Sequence, residues 1–282
     1  MNPPATNLLG KTPSPIAACG EVPRARGFWS ASVTVFRLAG LRPLGGRRGV
    51  LLALLVASPA LVALLSRIGG AGEFAGLQGM ARLLGSGFLS VIEPLVFLFL
   101  GGAVLGDEIE GKTLTYLLVR PVPRAAIVVG RFASFFAASI VLLGAGVLLS
   151  ALVAMAGEPA LEEGFSLLAS FLLVTGLAAL AYGSLFLMLT VITERSVVVG
   201  IAFILLEGLL PQVPGKTAWI SIKFHLHVVA QAASSGVIDL AWGTSRLALV
   251  PEVATVTLTL LAATAVFLGA TLLLFRRRQF VF

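Results

Sequence analysis

Apolar runs of near-spanning length recur along this chain, and they leave it few possible folds. A helix needs roughly 20 apolar residues to cross about 30 Å of hydrocarbon. Runs of this kind are read at residues 50–66, 86–106, 132–156, 165–190, 197–210 and 253–275, the fifth being short and halted by Pro211. In hydrocarbon the backbone must satisfy its own hydrogen bonds, so each run is expected to be a helix. The expected fold is all-α, a polytopic integral membrane protein with six transmembrane helices. Composition closes the soluble alternative. The chain is 58% apolar and only 12% charged, where a soluble domain has roughly 45–50% and about 25%.

Orientation is read from the Lys/Arg bias of short loops. The formal charge is +7, and the basic residues sit beside apolar runs, a placement that suits a membrane and not nucleic acid. Arg42, Arg47 and Arg48 precede the first run, Lys112, Arg120, Arg124 and Arg131 lie between the second and third, and Arg276, Arg277 and Arg278 close the sixth. The Gly157–Gly164 connection carries Glu158, Glu162 and Glu163 but no basic residue. Six crossings with both termini cytoplasmic, in the cell (inner or cytoplasmic) membrane, satisfy this pattern. Residues 1–27, rich in Pro, Gly and small residues, read as a flexible tail ahead of a permease-like region at 28–282, and not as a signal peptide. The single Cys19 excludes an intramolecular disulfide.

Two stretches read as amphipathic elements. Phe28–Leu41 can place Phe28, Trp29, Val33, Phe36 and Leu41 on one helical face with Arg37 to the side, which suits an interfacial helix on the cytoplasmic surface; an irregular linker is the other reading. Gln212–Pro251 is too polar to span, and is expected to be a re-entrant or outer-surface helical element, or else a plain loop. Its His225 and His227 form an H-x-H pair, expected on an outer-surface or interfacial helix. A metal site needs three or four ligands, so no metal is assigned to the pair.

Between the second and third runs, Gly106–Arg131 reads GDEIEGKTLTYLLVRPVPRAAIVVGR. It contains a literal phosphate-loop pattern, Gly106 with Gly111, Lys112 and Thr113. That reading fails on context. A phosphate loop joins a buried strand to a helix, whereas a lipid-length helix precedes this one, and Asp107, Glu108 and Glu110 would repel the anion. Helix chemistry explains the segment better. Asp107 and Glu110 are spaced as a capping pair, Leu114, Leu117 and Leu118 follow as an apolar stripe, and Pro121 and Pro123 stop the helix. A short rigid element of this kind can pass a push from a soluble partner to the spans; a solvated loop with a capped turn is the plainer reading.

The run Glu108-x-Glu110-Gly111-Lys112-Thr113-Leu114-x-Tyr116-Leu117-Leu118, followed by Arg120-Pro121-Val122-x-Arg124 and by Ile127, Gly130 and Arg131, resembles the first cytoplasmic loop of ABC type-2 exporter permeases. The layout over 28–282 is similar too, and the subgroup most resembled is that of permeases linked to multicopper-enzyme maturation and gliding motility. The resemblance implies a permease dimer, of identical or related chains, bound to two cytoplasmic ATP-binding-cassette subunits. ATP and Mg would sit on those ATPases, with no cofactor held by this chain and no catalytic residue of its own. By the same resemblance Asp107, Glu108, Glu110, Gly111, Thr113, Leu117, Arg120, Pro121 and Arg124 belong to an ATPase-coupling loop, in a subunit coupling ATP hydrolysis to substrate movement in the direction of export. Membrane lipid is the other partner. A non-transporting membrane scaffold and an ion-coupled secondary transporter remain as alternatives.

Glu93 and Glu207 are the ionisable residues deepest in apolar runs. Burying an ionised carboxylate in lipid is costly, so both are expected to face protein or water. They either line the translocation path or are bonded to a neighbouring helix. Gly101, Gly102 and Gly106 with Ala103 could allow close helix packing, a dimer face included. If Glu93 lines the path, Glu93→Gln impairs export in a vesicle transport assay while the protein still inserts at parental levels. Normal transport by that variant rejects the path role.

Overall fold

The computed structural model describes residues 27–40, 44–70, 73–103, 123–158, 161–193, 195–210, 219–233 and 252–277. These residues form helices: α1 (Phe28–Ala39), α2 (Gly46–Ile68), α3 (Gly76–Gly101), α4 (Arg124–Met155), α5 (Leu161–Ile192), α6 (Ser196–Leu209), α7 (Ile222–Ala233) and α8 (Val253–Arg277). No strand occurs among the described residues. Within α3 the segment Leu83–Ile92 is π-helical before α-helical geometry resumes at Glu93.

Five of these helices, α2, α3, α4, α5 and α8, are long and apolar enough to cross a membrane. The fifth expected crossing, 197–210, is not among them. α6 has 14 residues, about 21 Å at 1.5 Å per residue, which falls short of a hydrocarbon core of about 30 Å. Its apolar run gives out at Pro211. The other helices are longer than their apolar runs. α3 begins at Gly76, ten residues before the expected start, and α4 begins at Arg124, eight residues before it. Hydropathy marks only the lipid-immersed part of a helix, and polar residues such as Gln78 and Arg82 extend the same hydrogen-bonded ladder beyond it.

The bundle is organised around α5. It packs against α8, α4, α3, α7 and α6, and its buried residues include Phe171, Val174, Ala178, Tyr182, Leu185 and Phe186. An aromatic column runs through this centre: Phe97 stacks on Tyr182 and Tyr182 on Phe186, with centroids 5.9 Å apart in both pairs. α3 is mostly buried, whereas α8 and α2 turn much of their length outward through residues such as Leu258, Val266, Leu51 and Leu54. That outward apolar surface is what a lipid-facing helix presents.

α1 lies on α4 through Ala31, Ser32, Val35 and Ala39, all buried. The contact is close at Gly130, where an added Cβ would lie 2.7 Å from the Ser32 carbonyl oxygen and 2.8 Å from the Val35 Cβ. The Ser134 hydroxyl donates to the Gly40 carbonyl just past the helix end. Phe28, Trp29, Val33 and Leu38 face outward, with Arg37 beside them. Small residues thus meet the protein, and the bulky ones are left for another solvent. Gly101, read from sequence as a possible dimer contact, faces inward, since a Cβ there would lie 3.0 Å from the Phe186 Cβ.

Packing along α5 supplies a paired test. A methyl at Gly183 would overlap the buried ring of Phe135, whereas one at Gly176 comes no closer than 4.0 Å to Ile140. Gly183→Ala is expected to lower the thermal unfolding midpoint in detergent, by an overpacking cost of about 1–3 kcal/mol. Gly176→Ala is expected to leave it unchanged or raise it, because Ala is the better helix former.

Candidate functional site

Buried polar groups from four elements meet near α5, which brings two of them to one of its own faces. Thr175 and Tyr182 are separated by seven residues, about two turns, and so project from the same side. The Thr175 hydroxyl donates to Glu93 Oε1 at 2.5 Å. The Tyr182 hydroxyl donates to Glu207 Oε2 at 2.7 Å. Glu93 and Glu207 are 1% and 2% exposed, so both carboxyls point into the protomer and not outward.

Their surroundings differ. Glu207 Oε1 also accepts from the Ser221 hydroxyl at 3.1 Å and from the Lys223 backbone N–H at 2.8 Å. Among the described residues Glu93 receives Thr175 alone, and its Oε2 has no hydrogen-bond partner. A carboxyl left this short of donors is costly to bury in charged form. It sits where π-helical geometry returns to α-helical, one residue before Pro94. π-segments inside α-helices are frequent at functional sites.

α7 completes the cluster. Every residue from Ile222 to Ala230 is buried, Lys223, His225 and His227 included. The expectation that the two histidines lie on an outer surface is therefore corrected: α7 is a helix of 12 residues, too short to span, lodged against α5, α8 and the π-segment of α3. The polarity of residues 212–251 excludes a spanning helix, but it does not by itself place this segment at the surface. Burial pulls Lys223 down to about 8 against the opposing pull of the Glu207 charge. Burial likewise pulls His227 down to about 4, leaving a neutral ring.

Hydrogen bonding orients both rings. His225 Nδ1 lies 2.8 Å from the Ser221 carbonyl and His227 Nδ1 2.9 Å from the Lys223 carbonyl. Carbonyls only accept, so each Nδ1 carries the proton. His227 Nε2 lies 3.2 Å from Ser90 Oγ, and the ring also meets the Gly85 backbone. The single Ser90 proton serves either this nitrogen or the Gly85 carbonyl, which is 3.1 Å away. With Nδ1 engaged on both rings, the pair is built into helix packing, and among the described residues no group of three or more His, Cys, Asp or Glu converges as a metal would require.

Of the coupling-loop residues read from sequence, Asp107, Glu108, Glu110, Gly111, Thr113, Leu117, Arg120 and Pro121 lie outside the described residues. Arg124 opens α4, and its Nη1 donates to the Arg276 carbonyl of α8 at 3.2 Å. Sequence reasoning passed over Thr175, Tyr182, Ser221 and Lys223. Tyr182 could have been found as one of only two tyrosines in the chain, set in the middle of an apolar run.

Taken together, these features define a polytopic helical membrane protein with a tied polar interior. The model of the family described as ABC-2 family transporter protein matches residues 47–209, more than half of the chain. The chain belongs to that family, whose members are membrane permease components of ABC transporters. No curated protein matches the chain.

The Glu93–Thr175 pair yields a stability prediction. Thr175→Val removes the one donor to a buried carboxyl and is expected to cost about 1–3 kcal/mol. Thr175→Ser keeps the hydroxyl and is expected to cost less. Thermal unfolding in detergent measures both, and equal midpoints for the two variants would remove the hydrogen bond from the account.

Proposed function

We propose that this chain is the membrane subunit of an ATP-driven exporter, working with a separate cytoplasmic ATP-binding-cassette ATPase and a second permease chain. Family membership supports the permease role. The observation that carries the coupling is one of sequence and packing: the stretch 108–123, whose sequence reads as capped, proline-ended and basic, lies between α3 and α4, the helix that packs on α1, α2, α5 and α8. A displacement delivered there reaches most of the bundle through packed side chains. ATP and Mg belong to the partner on this reading, and Glu108, Glu110, Thr113, Arg120, Pro121 and Arg124 to the contact.

The proposed topology puts both termini and the 104–122 connection in the cytoplasm, with α1 lying in the headgroup region. The exposed Trp29 and Phe28 beside Arg37 suit that interface. Arg276 and Arg277 at the end of α8 would meet anionic headgroups. In the full topology α6 takes the part of the short fifth crossing, its length deficit made up by local thinning of the bilayer or by protein cover. Kinship with the multicopper-enzyme maturation and gliding-motility permeases stands on the loop pattern alone.

Purification in mild detergent tests the reading. A nucleotide-binding subunit is expected to come down with the parent chain, and to be lost from Glu110→Ala and Arg124→Glu variants that still insert at parental levels. A purified chain that hydrolyses ATP by itself, or one that transports without any nucleotide-binding partner, would overturn it.

A further inference from the structure

α7 poses a problem of polar accounting. A helix exposes four unbonded N–H groups at its start and four carbonyls at its end, and this one is buried on all sides over Ile222–Ala230. Water is therefore a poor partner, and the groups must be met by protein. Ser221 caps the helix from within, its Oγ accepting the Phe224 N–H at 3.2 Å. The next N–H, that of Lys223, goes to Glu207 Oε1 at 2.8 Å, and the same oxygen accepts the Ser221 hydroxyl. One carboxylate oxygen from α6 thus holds both the capping residue and a first-turn N–H of α7. An anion at this end is also favoured by the helix dipole.

Two hydroxyl contacts to α7 are weaker in kind. Ser170 of α5 lies 2.8 Å from the Ala233 carbonyl at the far end, but its hydroxyl also reaches the Ser166 carbonyl of its own helix at 2.9 Å. Ser90 reaches His227 while also facing Gly85. Each of these is a single shared hydroxyl. Glu207 brings a carboxylate with two bonds to the start of α7, and it is itself braced from α5 by Tyr182. The Lys223 ammonium acts on the same carboxylate.

We propose that Glu207 is a positioning residue, a cap supplied from another helix that seats α7 in the bundle, and that it does not touch cargo. The acceptor oxygen matters most and the negative charge second. This goes beyond the permease assignment and is independent of the ATPase, so it can be tested on the chain alone in proteoliposomes. The probe is a membrane-impermeant maleimide acting on a single cysteine. The native Cys19 is replaced by serine, and a cysteine is placed at Val229 in α7, with Ala178 in α5 as a buried control; these residues are 4% and 0% exposed.

Glu207→Met, which removes both acceptors, is expected to raise the labelling rate at position 229 about tenfold or more, the scale of losing a charge-assisted bond. Glu207→Gln keeps a carbonyl oxygen and is expected to raise it less than about threefold, with position 178 unmoved in both. Should Glu207→Met fail to insert, Ser221→Ala carries the same test and is expected to raise labelling at 229. The proposal is overturned if labelling at 229 stays at the parental rate, or if positions 229 and 178 rise together, which would mark general loosening. It is also overturned if, in a separate preparation of the chain with its ATPase subunit, Glu207→Gln and Glu207→Met abolish transport equally while labelling of the chain alone is unchanged, the pattern of a charge needed on the path.

Discussion

Inside a membrane-embedded bundle a carboxyl, a hydroxyl or a helix end has only other protein groups to turn to, and the packing of α3, α5, α6 and α7 is organised by that requirement. Apolar helices in lipid gain little from hiding apolar surface from each other, because lipid tails are as apolar as leucine. Close packing and interhelical hydrogen bonds decide which helices meet, and at what rotation. α5 supplies both. Its Phe171, Val174 and Ala178 pack tightly, while Ser170, Thr175 and Tyr182 reach α7, Glu93 of α3 and Glu207 of α6. Take these three side chains away and the apolar contacts that remain would hold α5 less firmly to one register.

The same logic explains which parts of the molecule were legible in the sequence. Apolar runs mark where a helix meets lipid, so α2, α3, α4, α5 and α8 could be seen. Glu93 and Glu207 stood out because charge is rare in such runs. Their partners did not. Thr175 and Ser221 are ordinary residues for their surroundings, and only the fold shows that Thr175 lies opposite Glu93, 82 positions away in sequence. The two histidines of α7 were misplaced for a related reason. His225 and His227 read as surface because hydropathy counts side chains and ignores their partners, while Ser221, Lys223 and Ser90 supply bonds that make burial tolerable.

Toward the start of α4 the contacts have another character. Arg124 donates to the Arg276 carbonyl at the end of α8, and six residues on, Gly130 lets α1 approach to backbone distance. α1, α4 and α8 are therefore tied within the first turns of the helix that follows the connection from α3. Rigid helices transmit rotation and translation well but bend poorly, so a push near Arg124 would be shared with α1 and α8 before it reached the centre of the bundle. The small residues on the inner face of α1 keep that contact close, and the bulky Phe28 and Trp29 on its outer face resist its being pulled into the protein.

α6 shows how little is needed to fix a short helix. Only Gly200 and Glu207 of its 14 residues are buried. They are seven positions apart, about two turns, and so share one face. At Gly200 the missing side chain leaves room for Leu98 of α3, which a Cβ would overlap. At Glu207 the carboxyl reaches across to Tyr182 of α5 and to the start of α7. One contact demands the smallest residue and the other a long acid, so turning the helix by even a quarter turn would set Leu206 or Val199 against sites that fit neither. The remaining faces, with Val198, Leu205 and Leu209 exposed, impose no such demand. Rotation of α6 is thus set by two points on one line, and the polar one also determines where α7 begins.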